Sequence, residues 1–276
     1  MYKKQTSILI LLFFICSITN SQNEHKEYYE SGELKSIVKA KENEEDIYES
    51  ISYYRNGNVI ETGEFKKTFL LYHAKSVYRR HGYWKFYYEN TVLRQEGSFL
   101  DDTPTGLWKE YYENGKLYFS GKMEDGNQVG QWKMYSENGV LMMEVVFLDG
   151  KQTGLCKKYY ENGKLYSSGE MEDGKEVGQW EKYYENGELQ QIGELIEGKQ
   201  SGEWKFYYEN GQLNQTSIWE DGKLMNFTEF YDPNGNSMDI STLKNGNGIL
   251  KHYNEDGKLF QLTVKDGIVI QDEPVD

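Results

Sequence analysis

The sequence predicts an all-β fold, an elongated antiparallel meander of repeated β-hairpins, and three landmarks in phase predict it. Trp84, Trp108, Trp132, Trp180 and Trp204 lie on one 24-residue step, with Cys156 in the vacant place. Asn-Gly pairs run on the same step from Asn114–Gly115 to Asn234–Gly235. A second turn series runs from Asp125–Gly126 to Asn245–Gly246, again 24 residues apart. Internal periods of this size mark a repeat architecture. Asn-Gly between two runs of β-branched and aromatic residues signals a hairpin, with positive φ expected at both central residues of a type I′ turn. The Asp-Gly turn reverses the chain again, so the repeats join as a meander. No 3.6-residue apolar period lasts long enough for a helix.

Residues 1–21 read as a signal peptide: Lys3 and Lys4, then an unbroken apolar run from Ile8 to Ile15, then small residues before a cleavage site near Ser21–Gln22. This predicts an exported protein. The run is too short to span a bilayer, and no other stretch is long enough, so the chain is not expected to be an integral membrane protein. Ile15 stands where a lipobox wants a small residue, which argues against lipid on Cys16. Residues 22–81 hold two degenerate repeats around Tyr28–Tyr29 and Tyr53–Tyr54. Tyr53 to Tyr87 is 34 residues, one period plus ten, and the surplus lies between Gly63 and Trp84. This surplus includes Lys66, Lys67, Lys75, Arg79 and Arg80, and reads as a solvated basic loop. Residues 82–246 are the regular repeats, and 247–276 a diverged capping repeat and tail, as terminal units of an array are expected to be. About ten repeats, at roughly 9.6 Å per strand pair, would make one ribbon on the order of 90–100 Å long.

Strand pairing assigns the faces. A two-residue turn at Asn114–Gly115 sets Tyr112 opposite Leu117, Glu110 opposite Phe119 and Trp108 opposite Gly121. The other face carries Lys109, Tyr111, Lys116, Tyr118 and Lys122. The Trp-over-Gly pair recurs at Trp84–Gly97 and Trp180–Gly193, where an indole covers bare backbone. Trp132 faces Val145 and Trp204 faces Ser217. Cys156 faces Gly169, and a small dent is expected where that Trp is missing.

The chain has 31 basic and 45 acidic residues, net −14. Such a surface repels phosphate backbones, so no nucleic-acid partner is expected. A basic protein or a neutral ligand is compatible with it. Four histidines (His25, His73, His81, His252) lie in no metal or nucleophile motif, and neither a P-loop nor a dinucleotide fingerprint occurs. No catalytic residue, cofactor or metal is therefore expected, and the chain reads as a non-enzyme. Turn chemistry accounts for the repeated Asp-Gly without calcium. Cys156, a structural replacement for Trp, reads as a buried thiol.

The candidate binding residues are the aromatics. Trp84, Trp108, Trp132, Trp180 and Trp204 read as the packed face, with stacking on sugar rings of a glycan or cell wall as the alternative. Tyr87, Tyr111, Tyr135, Tyr159, Tyr183 and Tyr207 read as the more exposed stripe, suited to a protein partner or to cross-strand packing such as Tyr111 on Tyr118. Lys75, Arg79 and Arg80 are a possible docking loop.

The Tyr-Tyr-Glu-Asn-Gly runs at 111–115, 159–163 and 183–187, with Gly-x-Trp at Gly82, Gly106, Gly130, Gly178 and Gly202, resemble the MORN-repeat variant and the YwqK-type antitoxin family. The resemblance covers most of 28–270. It implies a MORN-like hairpin array with a protein-binding or antitoxin role and transfers no catalytic residue. The signal peptide departs from a cytosolic antitoxin and points to an immunity-like protein outside the cytoplasm.

Overall fold

The computed structural model describes residues 24–70, 75–238, 242–253 and 258–275. The signal segment with Cys16, and His73, lie outside the described residues. Among the described residues every regular element is a strand, and no helix is long and apolar enough to cross a membrane. Seventeen strands, β1 (Glu24–Tyr28) to β17 (Lys223–Phe230), form one sheet in which each strand pairs with the next. The expected meander is therefore present.

It does not run to the end. The chain leaves the sheet after Phe230, and β18 (Gly248–Tyr253), β19 (Leu259–Lys265) and β20 (Ile268–Pro274) make a separate three-stranded sheet. The single ribbon of the sequence reading is thus two sheets. The run of indoles ends at β17, where Thr228 occupies the place of the repeated Trp. Leu224, Leu243 and Val264 instead pack with Trp219 and Phe227 into a second small core.

The two turn series exchange the roles the sequence suggested. At Asn114–Gly115 only the glycine has positive φ, +81°. The Gly115 N–H donates to the Tyr112 carbonyl at 2.9 Å, and the Tyr112 N–H to that of Lys116. This is a bulged three-residue loop rather than a type I′ turn. The Asn114 side chain explains why: its Oδ1 accepts from the Lys116 N–H at 2.9 Å, an Asx turn that needs no left-handed Asn. Type I′ geometry belongs to the other series, with Asp125 at +47° and Gly126 at +81°. In β7 (Thr103–Tyr111) and β8 (Leu117–Glu124), Trp108 pairs with Gly121 and Glu110 with Phe119, as expected. The loop bulge moves only the last pair, setting Tyr111, not Tyr112, opposite Leu117.

A second bulge makes the core. Between β6 (Leu93–Leu100) and β7, Glu96 pairs with Lys109 and Ser98 with Thr105, so Gly106, Leu107 and Trp108 stand opposite Gly97. Gly106 supplies the left-handed residue this requires. Each indole thereby lies over the glycine of the preceding strand, not over the glycine it pairs with: Trp84 on Gly63, Trp108 on Gly97, Trp132 on Gly121, Trp180 on Gly169 and Trp204 on Gly193. Bulges repeated this way bend and twist the sheet, and the five indoles are only 0–6% exposed. Phe99, Met123, Phe147, Met171 and Leu195 pack beside them in the same core.

The expected dent at Cys156 is absent. Val145 occupies the glycine position ahead of Cys156, and the pair is buried at 1% and 2% exposure. The lost indole and the gained isopropyl compensate in the same slot. The expected basic loop is also absent. The ten extra residues lengthen one hairpin, β4 (Val59–Leu70) with β5 (Lys75–Tyr87), pairing Lys66 with Arg79 and Leu70 with Lys75. Alternating strand formers on both sides, Thr68-Phe69-Leu70 and Ser76-Val77-Tyr78, sustain the ladder.

Two columns of hydrogen bonds bind repeat to repeat. At the Asn-Gly end, the second tyrosine of each doublet donates to the carbonyl of the first tyrosine one repeat on: Tyr112 to Tyr135 at 2.8 Å, Tyr160 to Tyr183 at 2.6 Å, Tyr184 to Tyr207 at 2.7 Å. Ser136 interrupts this column. At the Asp-Gly end, each turn glycine N–H donates to a carbonyl of the preceding repeat, Gly150 to Gln128 and Gly174 to Gln152. That column continues across the break, from Gly246 to Met225 and from Gly267 to Gly246. Removing one tyrosine hydroxyl, Tyr112→Phe, is expected to cost about 1 kcal/mol, the net worth of one hydrogen bond. Equilibrium urea unfolding checks it.

Candidate functional site

The face opposite the indoles carries the accessible aromatic and apolar groups. Alternation along each strand places Leu107, Lys109 and Tyr111 there, beside Glu96 and Leu100 of the neighbouring strand. Tyr111 donates to a Glu96 carboxylate oxygen at 2.7 Å, and Lys109 lies 3.8 Å from it. Two repeats on, Tyr159 donates to Glu144 at 2.8 Å, and Lys133 pairs with that carboxylate at 3.0 Å. Tyr183 donates to Glu181. Burial, then the neighbouring carboxylate, pushes the Tyr159 and Tyr183 hydroxyls up to about 12. Burial alone would raise Glu96, but the hydrogen bonds from Tyr111 and Tyr83 and the charges of Lys109 and Lys85 outweigh it and hold its carboxyl below the usual range. Tyr111, Tyr159 and Tyr183 are thus fixed in place. Tyr87, Tyr135 and Tyr207 are half-buried at the equivalent positions.

Among these networks stand unshielded apolar side chains. Leu107 fills the middle place of Gly-x-Trp and Leu155 that of Gly154-x-Cys156, Tyr83 takes the same place with its hydroxyl on Glu96, and Leu100, Leu148 and Ile196 end every fourth strand; all are 45–63% exposed. The polar Gln131, Gln179 and Glu203 take the middle place in the other repeats. The apolar character of this outer face is therefore concentrated between β5 and the strand carrying Leu155.

The structure separates the residues proposed from the sequence. The five Trp are in the core and present no ring face to solvent. The six Tyr are on the outer face. Of the basic residues, Lys75 and Arg79 lie on the extended hairpin, while Arg80 turns inward. Its guanidinium sits 4.9 Å from the Trp84 ring centroid and 5.5 Å from that of Phe99, and it pairs with Glu61 at 2.9 Å. Arg80 closes the aromatic core rather than extending into solvent. Tyr111 does not stack on Tyr118; the loop bulge brings Tyr112 there instead, at 4.9 Å. The tyrosine column at the Asn-Gly end was missed, although the doubling of Tyr at every repeat was its signal.

Among the described residues no group of three or more His, Cys, Asp or Glu is placed to hold a metal ion. Burial pushes the Cys156 thiol up, with Lys158 opposing. Glu110 is turned to the indole face, where the equivalent residues are Phe86, Met134, Lys158, Lys182 and Phe206. Burial raises it above its ordinary 4.5, with Arg94 offsetting part. A raised folded-state value favours the protonated fold, so this group's contribution is best below pH 4.5 and worsens as pH rises. Glu110→Gln is therefore expected to raise the melting midpoint at pH 7, with the gain vanishing below pH 4.5, where Glu110 is protonated in both states. Thermal melts at the two pH values check it.

A family model described as MORN repeat variant matches residues 22–41, 49–67, 80–101, 104–125, 128–149, 152–173, 176–196 and 200–221. Comparison with curated proteins gives no match. Among solved structures, "Crystal Structure of TcdB2-TccC3-TEV" aligns at 14% identity over 92% of this chain and 17% of that chain, with TM-score 0.16. "Structure of Photorhabdus luminescens Tc holotoxin pore, Mutation TccC3-D651A" aligns at 12% identity over 89% of this chain and 15% of that chain, with TM-score 0.17. The chain spans less than a fifth of the length of either.

Proposed function

We propose, proceeding from the premise that this chain belongs to the MORN repeat variant family, that it is a non-enzymatic repeat scaffold binding a protein partner outside the cytoplasm. The observation that carries the reading is the outer face: exposed Leu107 and Leu155 set among tyrosines, Tyr83 included, locked to Glu96 and Glu144. Clustered exposed apolar groups with pre-positioned tyrosines suit a protein interface. The net charge of −14 favours a basic partner. An exported toxin held in an immunity-like complex fits both the resemblance to antitoxins and the signal character of residues 1–21. Stacking of sugars on the Trp stripe has less support, because those rings are buried.

The test is affinity capture from the cell envelope, followed by titration of the purified partner. Leu107→Asp with Leu155→Asp is expected to weaken binding more than about tenfold, a difference of 1.4 kcal/mol, with an unchanged melt. Unchanged affinity would remove the outer face from consideration. Export is checked by N-terminal sequencing of the envelope form, expected to begin at Gln22. An immunity role is checked by whether co-expression relieves the toxicity of a neighbouring gene product.

A further inference from the structure

The three-stranded sheet does not close fully onto the end of the main sheet. A cleft of about 400 Å³ remains between Leu250, Leu262 and Val269 on one side and the last two hairpins on the other, within the size of small-ligand sites. Among the described residues four side-chain amides line it: Gln190, Gln191, Asn214 and Gln215. Gln190 Oε1 and Asn214 Oδ1 are buried and have no hydrogen-bond partner. Tyr184, Phe206, Tyr207, Trp219 and Phe227 complete the wall. Among the described residues no carboxylate lines the cleft, although 45 of the 276 residues are acidic. The cation among its described lining residues, Lys182, is already set over the Tyr166 ring at 5.1 Å.

The repeat makes these amides conspicuous. The equivalent pairs in the middle repeats are Tyr118–Phe119, Met142–Met143 and Tyr166–Ser167. Amide pairs stand at these places only in the two repeats that the three-stranded sheet covers. A buried amide oxygen without a partner is costly, and an apolar side chain of similar shape would avoid the cost. The polarity is explained if a ligand supplies the missing donors.

We propose that this cleft binds a neutral saccharide. Each side-chain amide offers an acceptor and two donors side by side, which matches adjacent ring hydroxyls that both donate and accept. The flat aromatic walls suit the apolar C–H faces of a sugar ring, and a lining without carboxylates among the described residues suits an uncharged ligand. The site lies apart from the buried Trp stripe and from Tyr83, Leu107 and Leu155, shares only Tyr207 with the tyrosine stripe, and stands whether or not a protein binds the outer face.

The experiment is a glycan array with the full chain, then calorimetric titration of the strongest neutral saccharide. Gln190→Leu with Asn214→Leu is expected to weaken binding more than about tenfold, since the sugar hydroxyls lose their partners. Its ligand-free melt is expected at or above wild type. Val269→Trp, which blocks the cleft from its exposed side and leaves the amides in place, is expected to abolish binding. If the double variant does not fold, Val269→Trp alone decides. No saccharide bound on the array, wild-type affinity in Val269→Trp, or displacement of the saccharide by short neutral peptides that bind more tightly would each overturn the proposal.

Discussion

Gly97→Ala is expected to destabilise the array by about 3 kcal/mol, the upper part of the range for overpacking a core. A Cβ at Gly97 would overlap the indole of Trp108, and that indole is wedged edge-on against Phe99 at 5.2 Å. The ring has no room to withdraw, because the bulge at Gly106 fixes its direction. Gly97→Val should be worse. The chain already contains the remedy, for its Val145 stands ahead of Cys156 in the same slot. Gly97→Val with Trp108→Cys should therefore recover most of the loss, making the pair strongly non-additive. Cys156→Trp alone should fail against Val145 and be relieved by Val145→Gly. Urea unfolding of the singles and doubles gives the coupling energy, and additive losses would overturn the packing account.

The second large effect is expected from Trp132→Ala. Its indole is 1% exposed, covers Gly121 and meets Phe119 at 4.5 Å and Phe147 at 6.1 Å between centroids. Truncating a buried aromatic costs about 3–5 kcal/mol. In an array each repeat is held by its neighbours, so the damage should stay local before it becomes global. Hydrogen exchange is expected to lose protection from about residue 117 to 148, while the flanking hairpins keep theirs. Uniform loss along the chain would show instead that the sheet unfolds as one unit. A binding defect in such a variant reports unfolding, not a lost ligand contact.

The sequence made the repeats and strand pairs legible because the 24-residue phase is carried by residues with one job each. Trp108–Gly121 and Glu110–Phe119 pair as the alternation requires. What alternation cannot reveal is a bulge. Gly106 is invisible as a bulge residue until both neighbouring strands are known, and it decides which glycine the indole covers. The same holds for Asn114, whose side-chain bond to Lys116 replaces the left-handed backbone its dipeptide suggests. The outer tyrosines were legible as a stripe. The apolar residues between them were not, because the middle of Gly-x-Trp alternates between Leu107, Gln131 and Leu155 and shows no period when read as a consensus. Arg80 could not be read as a core residue, since only the fold brings it over Trp84. The amide cleft depends on a second sheet that the repeat pattern did not announce.

The columns of turn bonds have a mechanical consequence. Hydrogen bonds between antiparallel strands lie across the strands, and β1 and β17 lie at opposite ends of the main sheet's pairing order. Tension between the ends therefore loads the ladders one after another, like a zipper, not all together in shear. The three-stranded sheet should yield first, since the glycine bonds from Gly246 and Gly267 and the small core around Leu224 hold it to the rest. Each repeat released thereafter frees 24 residues, about 80 Å of extended chain. In an optical trap the protein should lengthen in a regular staircase, with the longest step at the extended hairpin.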